Sequence, residues 1–297
     1  MEIHQLRYFV AVARLGNFSR AAEQCLVSQP SLSQQIQKLE RGLGHPLLDR
    51  LGKRAVVTDA GRVLLERATA ILSAVDNAER EVKDFDRAMG GRLVVGAIPT
   101  VAPYLLPDAV KDFTAQHPSV ELVIHEDFTS HLIQAAVAGD LDVALMALPV
   151  PDERLTCEAL LTEELVLALP AGHHLLAKKK ITLADVREER FIVLNDMHCL
   201  GEQVLYFCRE GGCQRITCRS SQLSTVLTLV ALGQGISLVP EMARPAHAPA
   251  GPVVFRRLAD GRPERTIAAV WHKDRYHGAA GVRFLAALKG RIAASAR

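Results

Sequence analysis

Between Thr58 and Met89 the apolar residues Leu64, Ala68, Ile71, Val75, Ala78, Val82, Phe85 and Met89 follow one another at alternating steps of four and three. A heptad repeat held this long specifies one continuous helix with a single apolar stripe, and its period favours a left-handed coiled coil with another copy of the chain. The other faces carry Glu66, Arg67, Asp76, Glu79, Arg80 and Lys83, so the helix cannot bury its stripe alone. Packing on its own domain is the other way to cover it. Either way a helix over 59–89 separates the chain into a segment before it, 1–58, and one after it, 90–297, with Met89, Gly90 and Gly91 as the hinge. The length agrees: 297 residues are more than one hydrophobic core organises, and 49% hydrophobic with 23% charged residues supply ample core material.

The first segment reads as three short helices and a hairpin. Leu6, Phe9, Val10 and Ala13 line one face of the first helix, and Phe18, Ala21, Ala22, Cys25 and Leu26 one face of the second. Small Ala21 and Ala22 let a neighbouring helix approach closely. After a turn at Leu26 and Val27, Ser28 is the expected N-cap of a third helix, with Pro30 in its tolerant first turn. That helix turns Leu32, Ile36, Leu39 and Leu43 inward and Pro30, Ser31, Gln34, Gln37, Lys38 and Arg41 outward. Ser and Gln can read base edges; Lys and Arg can meet phosphates or guanine. Gly42 and Gly44 stop the helix, and LLDRLGKRAVVT at 47–58 reads as a hairpin with a basic tip. The net charge is only +2, but the first 54 residues hold an excess of cations, including Arg50, Lys53 and Arg54. A local polyanion-binding surface on a near-neutral body is the implication.

The stretch FSRAAEQCLVSQPSLSQQIQKLERGLGHPLLDR at 18–50 resembles the N-terminal signature of LysR-type transcriptional regulators. The resemblance implies a winged helix-turn-helix that sets its third helix in the major groove of DNA. It makes Ser28, Gln29, Pro30, Ser31, Ser33, Gln34 and Lys38 the recognition segment, and places Arg50 and Arg54 in the wing. It also implies that Leu64 to Phe85 form a dimerisation helix, with assembly of the chain into dimers and tetramers, and RNA polymerase as a further partner.

Beyond the hinge, strand and helix patterns alternate: RLVVGAI at 92–98, a helix after Pro103, VELVIHE at 120–126, a helix from Ser130 and LDVALMA at 141–147. This is the signal of βαβ units and a mostly parallel sheet. ELVLALP at 164–170 opens a second block that continues through RFIVL, GISLVP and VVF, while RTIAAVW at 265–271 and the closing helix return to the first. Two α/β lobes joined by crossing strands resemble the periplasmic-binding-protein-like effector domain of the same family. Ligands in such folds lie in the cleft near strand carboxyl ends and helix N-termini. Thr100, and again Thr129 with Ser130, fall at such a place, where a hydroxyl can either cap the helix or meet a small polar molecule.

His198-Cys199-Leu200, with Cys208 nine positions beyond Cys199, is similar to the peroxide-sensing branch of the family, the OxyR type, as are IPTVAPYLLP at 98–107 and GHPLLDR at 44–50. This resemblance implies that Cys199 is the thiol attacked by peroxide and Cys208 its disulfide partner. It implies that Thr100, Thr129 and His198 orient the oxidant and that Arg265 lies beside the reactive thiol. A reactive thiol needs thiolate character, which a helix N-terminus, a His or an Arg can promote. If 200–212 is helical, nine residues of rise separate the two cysteines by about 13 Å. A disulfide needs Cα atoms within about 7 Å, so the bond would require the segment to unwind.

Cys213 and Cys218 stand where the peroxide-sensing pattern asks for no cysteine and are either rival resolving thiols or incidental; Cys25 and Cys157 read as small buried hydrophobes. His198, Cys199, Cys208, Cys213 and Cys218 lack the paired C-x2-C spacing of a metal site, so no metal and no other cofactor is expected. Two further readings stay open: a regulator answering a small metabolite in the cleft through Thr100, Thr129 and the backbone near Leu200, and a thiol peroxidase with an accessory DNA domain. No Walker loop, G-x-S-x-G or H-E-x-x-H is found, which favours a regulator over an enzyme. The first residues lack a signal-peptide apolar region and no apolar stretch is long enough for a bilayer, so a cytoplasmic protein with reduced thiols and no membrane partner is expected.

Overall fold

The computed structural model describes residues 1–51, 54–86, 90–195, 197–212, 215–244 and 252–295. Lys53, Met89 and Cys213, and the side chains of Arg80, Lys83 and Phe85, lie outside the described residues. The chain divides into two compact units: Met1–Asp86 with Asp274–Tyr276, and Arg87–Lys273 with His277–Arg297.

The first unit contains helices α1 (Ile3–Leu15), α2 (Phe18–Gln24) and α3 (Gln29–Leu43), strands β1 (Leu48–Leu51) and β2 (Arg54–Val57), and helix α4 (Asp59–Asp86). Side chains set the helix starts. Glu2 and Gln5 form a capping box on α1, Asn17 accepts from the Arg20 N–H, and Ser28 Oγ accepts from the Ser31 N–H at 3.3 Å. Leu6, Phe9 and Val12 of α1 meet Ala21 and Ala22 of α2 and Leu32, Ile36 and Leu39 of α3 in one dry core. Burial of each large aliphatic or aromatic side chain there contributes about 1.5–3 kcal/mol. Two residues expected inside are outside. Leu26 is 91% exposed because it forms the α2–α3 turn itself, with φ +55°, and Leu43 is 40% exposed as the last residue of α3, ahead of the Gly44 cap.

Strands β1 and β2 pair antiparallel, Leu48 opposite Val57 and Leu51 opposite Arg54, giving the expected hairpin. Glu40 of α3 fixes its entry, its Oε1 accepting from the N–H groups of Leu47 and Leu48 at 2.8 and 3.2 Å. The expected Thr58 cap is present, Oγ1 accepting from the Gly61 N–H at 3.0 Å. Gly61 has no room for a side chain: a Cβ there would stand 2.1 Å from the Leu47 carbonyl oxygen. The α4 stripe is divided. Ala68 is fully buried in the unit's own core and Leu64 packs on that core, so Ala68 is not available to a second copy. Further along, Ile71 and Val82 are 36% and 72% exposed.

The second unit opens with β3 (Gly91–Ala97), α5 (Ala102–Gln116), β4 (Val120–Glu126), α6 (Thr129–Val137) and β5 (Val143–Ala147), followed by the long β6 (Leu155–Pro170). Then come β7 (Arg190–Leu194), α7 (Cys199–Gly211), β8 (Arg215–Ser220), α8 (Leu223–Ala231), β9 (Ser237–Pro240), β10 (Val253–Arg256), β11 (Glu264–His272) and α9 (Ala279–Ser295). The pairings β3–β4, β3–β5 and β7–β8 are parallel, as expected of helical crossovers. The sheet as a whole is mixed rather than mostly parallel, because β6, β9, β10 and β11 pair antiparallel. Of these, β6 runs from one lobe into the other. The first half of β6 pairs with β11 and its second half lies between β9 and β10, so one strand belongs to both lobes. Each lobe keeps its own apolar core, one around β3, β5, α5 and α9, the other around β7, β9, α7 and α8.

Candidate functional site

In the first unit, α3 exposes Gln29, Pro30, Ser31, Gln34, Gln37, Lys38 and Arg41 along one face, free of bulky aliphatic side chains. The other named residues there have structural duties as well. Ser28 is spent on the cap. Ser33 is half-buried and its Oγ accepts from Arg50 Nη1 at 3.1 Å, while the Arg50 guanidinium lies 4.7 Å from the centre of the Phe18 ring. Arg50 thus joins β1 to α2 and α3. Arg54 is exposed on β2, and Lys38 is exposed with Nζ 3.8 Å from Glu2 Oε1.

In the second unit, β7 runs into the segment that begins α7, and this connection places His198 and Cys199. His198 caps the helix by position and is buried; its Nε2 lies 2.8 Å from the Ser221 carbonyl oxygen, and the Phe128 ring meets it edge-on at 4.8 Å. Cys199 is the first residue of α7 and is half-buried. It packs against the core of the first lobe, although its helix otherwise packs in the second. Cys208, on the same helix, is 2% exposed within the second lobe's core. Helix α7 is continuous over Cys199–Gly211, so the two thiols are about 13 Å apart along its axis and no described cysteine is in a disulfide. Close packing fixes the start of α7: a Cβ on Gly201 would lie 2.4 Å from the Asn195 carbonyl oxygen and 2.7 Å from that of Leu194.

The polar groups around this point separate into two sets. Thr129 Oγ1 is buried and has no hydrogen-bond partner among the described residues. Thr100 does not cap α5. Its hydroxyl accepts from Arg265 Nη1 at 2.9 Å, and its carbonyl oxygen accepts from Nη2 at 3.0 Å. The buried Arg265 also donates Nε to Glu163 Oε1 at 2.8 Å and holds Nη2 3.7 Å from Met242 Sδ. Its described partners are therefore Glu163, Thr100 and Met242, with Cys199 not among them. Glu163 Oε2 in turn accepts from the Met242 N–H at 2.9 Å. Glu163 is the residue that the sequence reading omits. A charged side chain inside a strand that packs a core needs an opposite charge, and Arg265 sits in an equally apolar strand; that shared anomaly was the available signal.

A cleft of about 450 Å³ separates the lobes beside His198, lined by Pro103, Tyr104, Asp127 and Phe128 on one side and Ser221 and Gln222 on the other. Burial pushes the Tyr104 hydroxyl up, with Arg265 opposing and Glu163 reinforcing, so it remains a protonated donor. Burial also raises Asp127, but hydrogen bonds from His131 and the Phe128 N–H, with the charges of His131 and His125, outweigh it and hold the carboxyl below its ordinary value. The remaining cysteines are dispersed. Burial pushes the Cys25 thiol up, with Arg7 opposing. Cys157 is exposed rather than buried, because between Leu155 and Glu163 the first half of β6 has no buried side chain. Cys218 is half-buried on β8 against the second core.

Comparison with known proteins matches residues 3–62 to the bacterial regulatory helix-turn-helix protein, lysR family, and residues 86–293 to the LysR substrate binding domain. The Escherichia coli DNA-binding transcriptional dual regulator OxyR is 36% identical over 272 residues, covering 91% of this chain and 89% of its own. A full-length OxyR variant from Pseudomonas aeruginosa superposes with a TM-score of 0.78 at 30% identity, covering 98% of this chain and 94% of its own. A hydrogen-peroxide-bound OxyR mutant from Corynebacterium glutamicum does so with a TM-score of 0.64 at 32% identity, covering 99% and 95%. Among the described residues, no helix is long and apolar enough to cross a membrane.

Proposed function

The chain belongs to the LysR family of bacterial helix-turn-helix regulators, and from that premise we propose that it is a cytoplasmic transcription factor that senses hydrogen peroxide through Cys199 and Cys208. The observation that carries this reading is the placement of the two thiols at different cores of the two-lobed domain, Cys199 half-buried at a helix start and Cys208 sealed nine residues on. The Cys199 thiolate attacks one peroxide oxygen and the O–O bond breaks. The sulfur becomes a sulfenic acid, and the departing hydroxide leaves as water after taking a proton. The Cys208 thiol then displaces the sulfenic hydroxyl as a second water, so one peroxide is reduced and two thiols are oxidised. The unpartnered Thr129 hydroxyl and the His198 side chain are the groups that orient the oxidant. Thr100 and Arg265 act from behind them as a fixed frame.

Because the sulfurs cannot bond across an intact α7, oxidation requires that helix to unwind and Cys208 to leave its core. The resulting change in the domain alters how dimers or tetramers, joined through the exposed part of the α4 stripe, hold paired half-sites on DNA and engage RNA polymerase. Residues on the outer face of α3 (Gln29, Pro30, Ser31, Gln34 and Lys38) read the groove, with Arg54 of the wing on the backbone.

Titration of the reduced protein with hydrogen peroxide tests the reading. One equivalent should remove two thiols and yield a Cys199–Cys208 linked peptide by mass spectrometry, and Cys199→Ser should lose the response while retaining DNA binding. Linkage of other cysteines, or a response unchanged in Cys199→Ser, would refute it. The cleft beside His198 favours one second reading, a small polar effector bound between Asp127 and Gln222. Inert but accessible thiols would leave that reading standing.

A further inference from the structure

Outside the thiol region, two short segments of the second lobe converge. His173 and His174 start a single turn of 3-10 helix over His174–Ala177, and Glu189 ends the turn that leads into β7, its N–H bonded to the Val186 carbonyl oxygen at 3.2 Å. Each segment is fastened by a side chain sunk in the second core, Leu175 at 1% exposure and Val186 at 0%. The fold therefore fixes the relative positions of three side chains that are not neighbours in sequence.

We propose that His173, His174 and Glu189 bind a divalent transition-metal ion of the Zn2+ class. The imidazole rings lie side by side, with centroids 4.5 Å apart and planes tilted by 31°. Both turn Nε2 toward the one carboxylate: His174 Nε2 is 3.1 Å from Glu189 Oε1, and His173 Nε2 is 3.5 Å from Oε2. The three ligand atoms all lie within 4.8 Å of one another. An ion with metal–ligand bonds of about 2.0–2.1 Å in tetrahedral geometry keeps its ligand atoms roughly 3.3–3.4 Å apart. The three ligand atoms, already within 4.8 Å of one another, have only to draw together to that separation, with solvent completing the shell. Two imidazole nitrogens with one carboxylate oxygen suit Zn2+, Ni2+, Co2+ or Cu2+ rather than Ca2+ or Mg2+, which prefer all-oxygen shells.

Proton bookkeeping is consistent. The Leu175 N–H donates to His173 Nδ1 at 3.4 Å, which leaves the proton of a neutral ring on Nε2. Metal at Nε2 moves that proton to Nδ1 and gives up the capping bond, which is already at the long end of hydrogen bonding. His173 and Glu189 are mostly buried, with side chains 14% and 18% exposed; His174 is 69% exposed and forms the entry side. The site does not depend on the thiol chemistry, and the spacing of these residues in the sequence gives no sign of it.

Equilibrium dialysis of the reduced full-length protein against Zn2+, followed by metal analysis, provides the test. Cysteines bind Zn2+ too, so the readout is the difference between proteins. Wild type should hold one ion per chain more than His174→Ala, whose exposed side chain can be removed without disturbing the core, and Glu189→Gln should match His174→Ala. The Co2+ difference spectrum between wild type and His174→Ala should show ligand-field absorption without thiolate charge transfer. Equal stoichiometry in wild type and His174→Ala, or Co2+ spectra that keep only thiolate bands and ignore His174→Ala, would overturn the proposal.

Discussion

The Arg50 guanidinium stacks on Phe18 and donates to Ser33, so this wing residue is held by its own domain before it meets any phosphate. A cation–π contact contributes about 0.5–1 kcal/mol at an exposed site and a hydrogen bond about 0.5–1.5 kcal/mol. Arg50→Ala should therefore lower the unfolding free energy of the first unit by about 1–2 kcal/mol, as well as weaken DNA binding. Lys38→Ala should leave stability unchanged and reduce the slope of log affinity against log salt by about one. Denaturant titration with binding measured over a salt series separates the two residues; equal slopes for Lys38→Ala and wild type would remove Lys38 from the phosphate contacts. Deeper in the chain, Glu163→Gln strips the buried Arg265 of its counter-charge, a loss on the order of 3–5 kcal/mol. Glu163→Met with Arg265→Met should cost less than Glu163→Gln alone, since an apolar pair leaves no buried charge unpaired. Melting temperatures check the order. Arg265 was singled out in sequence through the resemblance, and Glu163 was legible only as the second half of a pair of charges in apolar strands, because a single Glu in a strand reads as a solvated side chain until its partner is known.

In the proposed switch, helix α7 is the element on which the thiol chemistry acts. It buries Leu200, Val204, Leu205, Phe207 and Cys208 in the second core, and oxidation must displace several of them together. Amide hydrogen exchange over 200–208 should accelerate strongly on oxidation while that of β3 and β5 stays slow; unchanged protection of α7 in the disulfide form would contradict an unwinding switch. Gly201→Ala should drive α7 away from the end of β7, because the new methyl meets two carbonyl oxygens. A loss of about 1–3 kcal/mol with faster thiol modification in the reduced protein is expected, read by thermal melts and by rates of thiol labelling. Elements with local punctuation were legible: the caps Ser28 and Thr58 lie where expected and β4 spans Val120–Glu126 as read. Strand β6 was not. It begins at Leu155 rather than Glu164, since Thr156, Cys157 and Ala159 face solvent and the apolar run signals only its second half.

For the whole molecule, the apolar stripe of α4 has two owners. A heptad pattern looks the same whether a helix packs on its own domain or on a partner, so the division at Ala68 could not be read from periodicity. The exposed part around Ile71 and Val82 is what remains for another copy. Val82→Asp should shift the protein toward smaller assemblies in sedimentation experiments without lowering the melting temperature of the first unit; an unchanged assembly would place self-association elsewhere. The long β6, hydrogen-bonded to β11 along one half and to β9 and β10 along the other, has a mechanical meaning for signalling. A shared beam resists clamshell closure, since tilting one lobe would have to bend a strand clamped on both sides. In the proposed switch, information therefore leaves the regulatory domain as altered surface relief around the displaced helix, while the scaffold beneath keeps its shape.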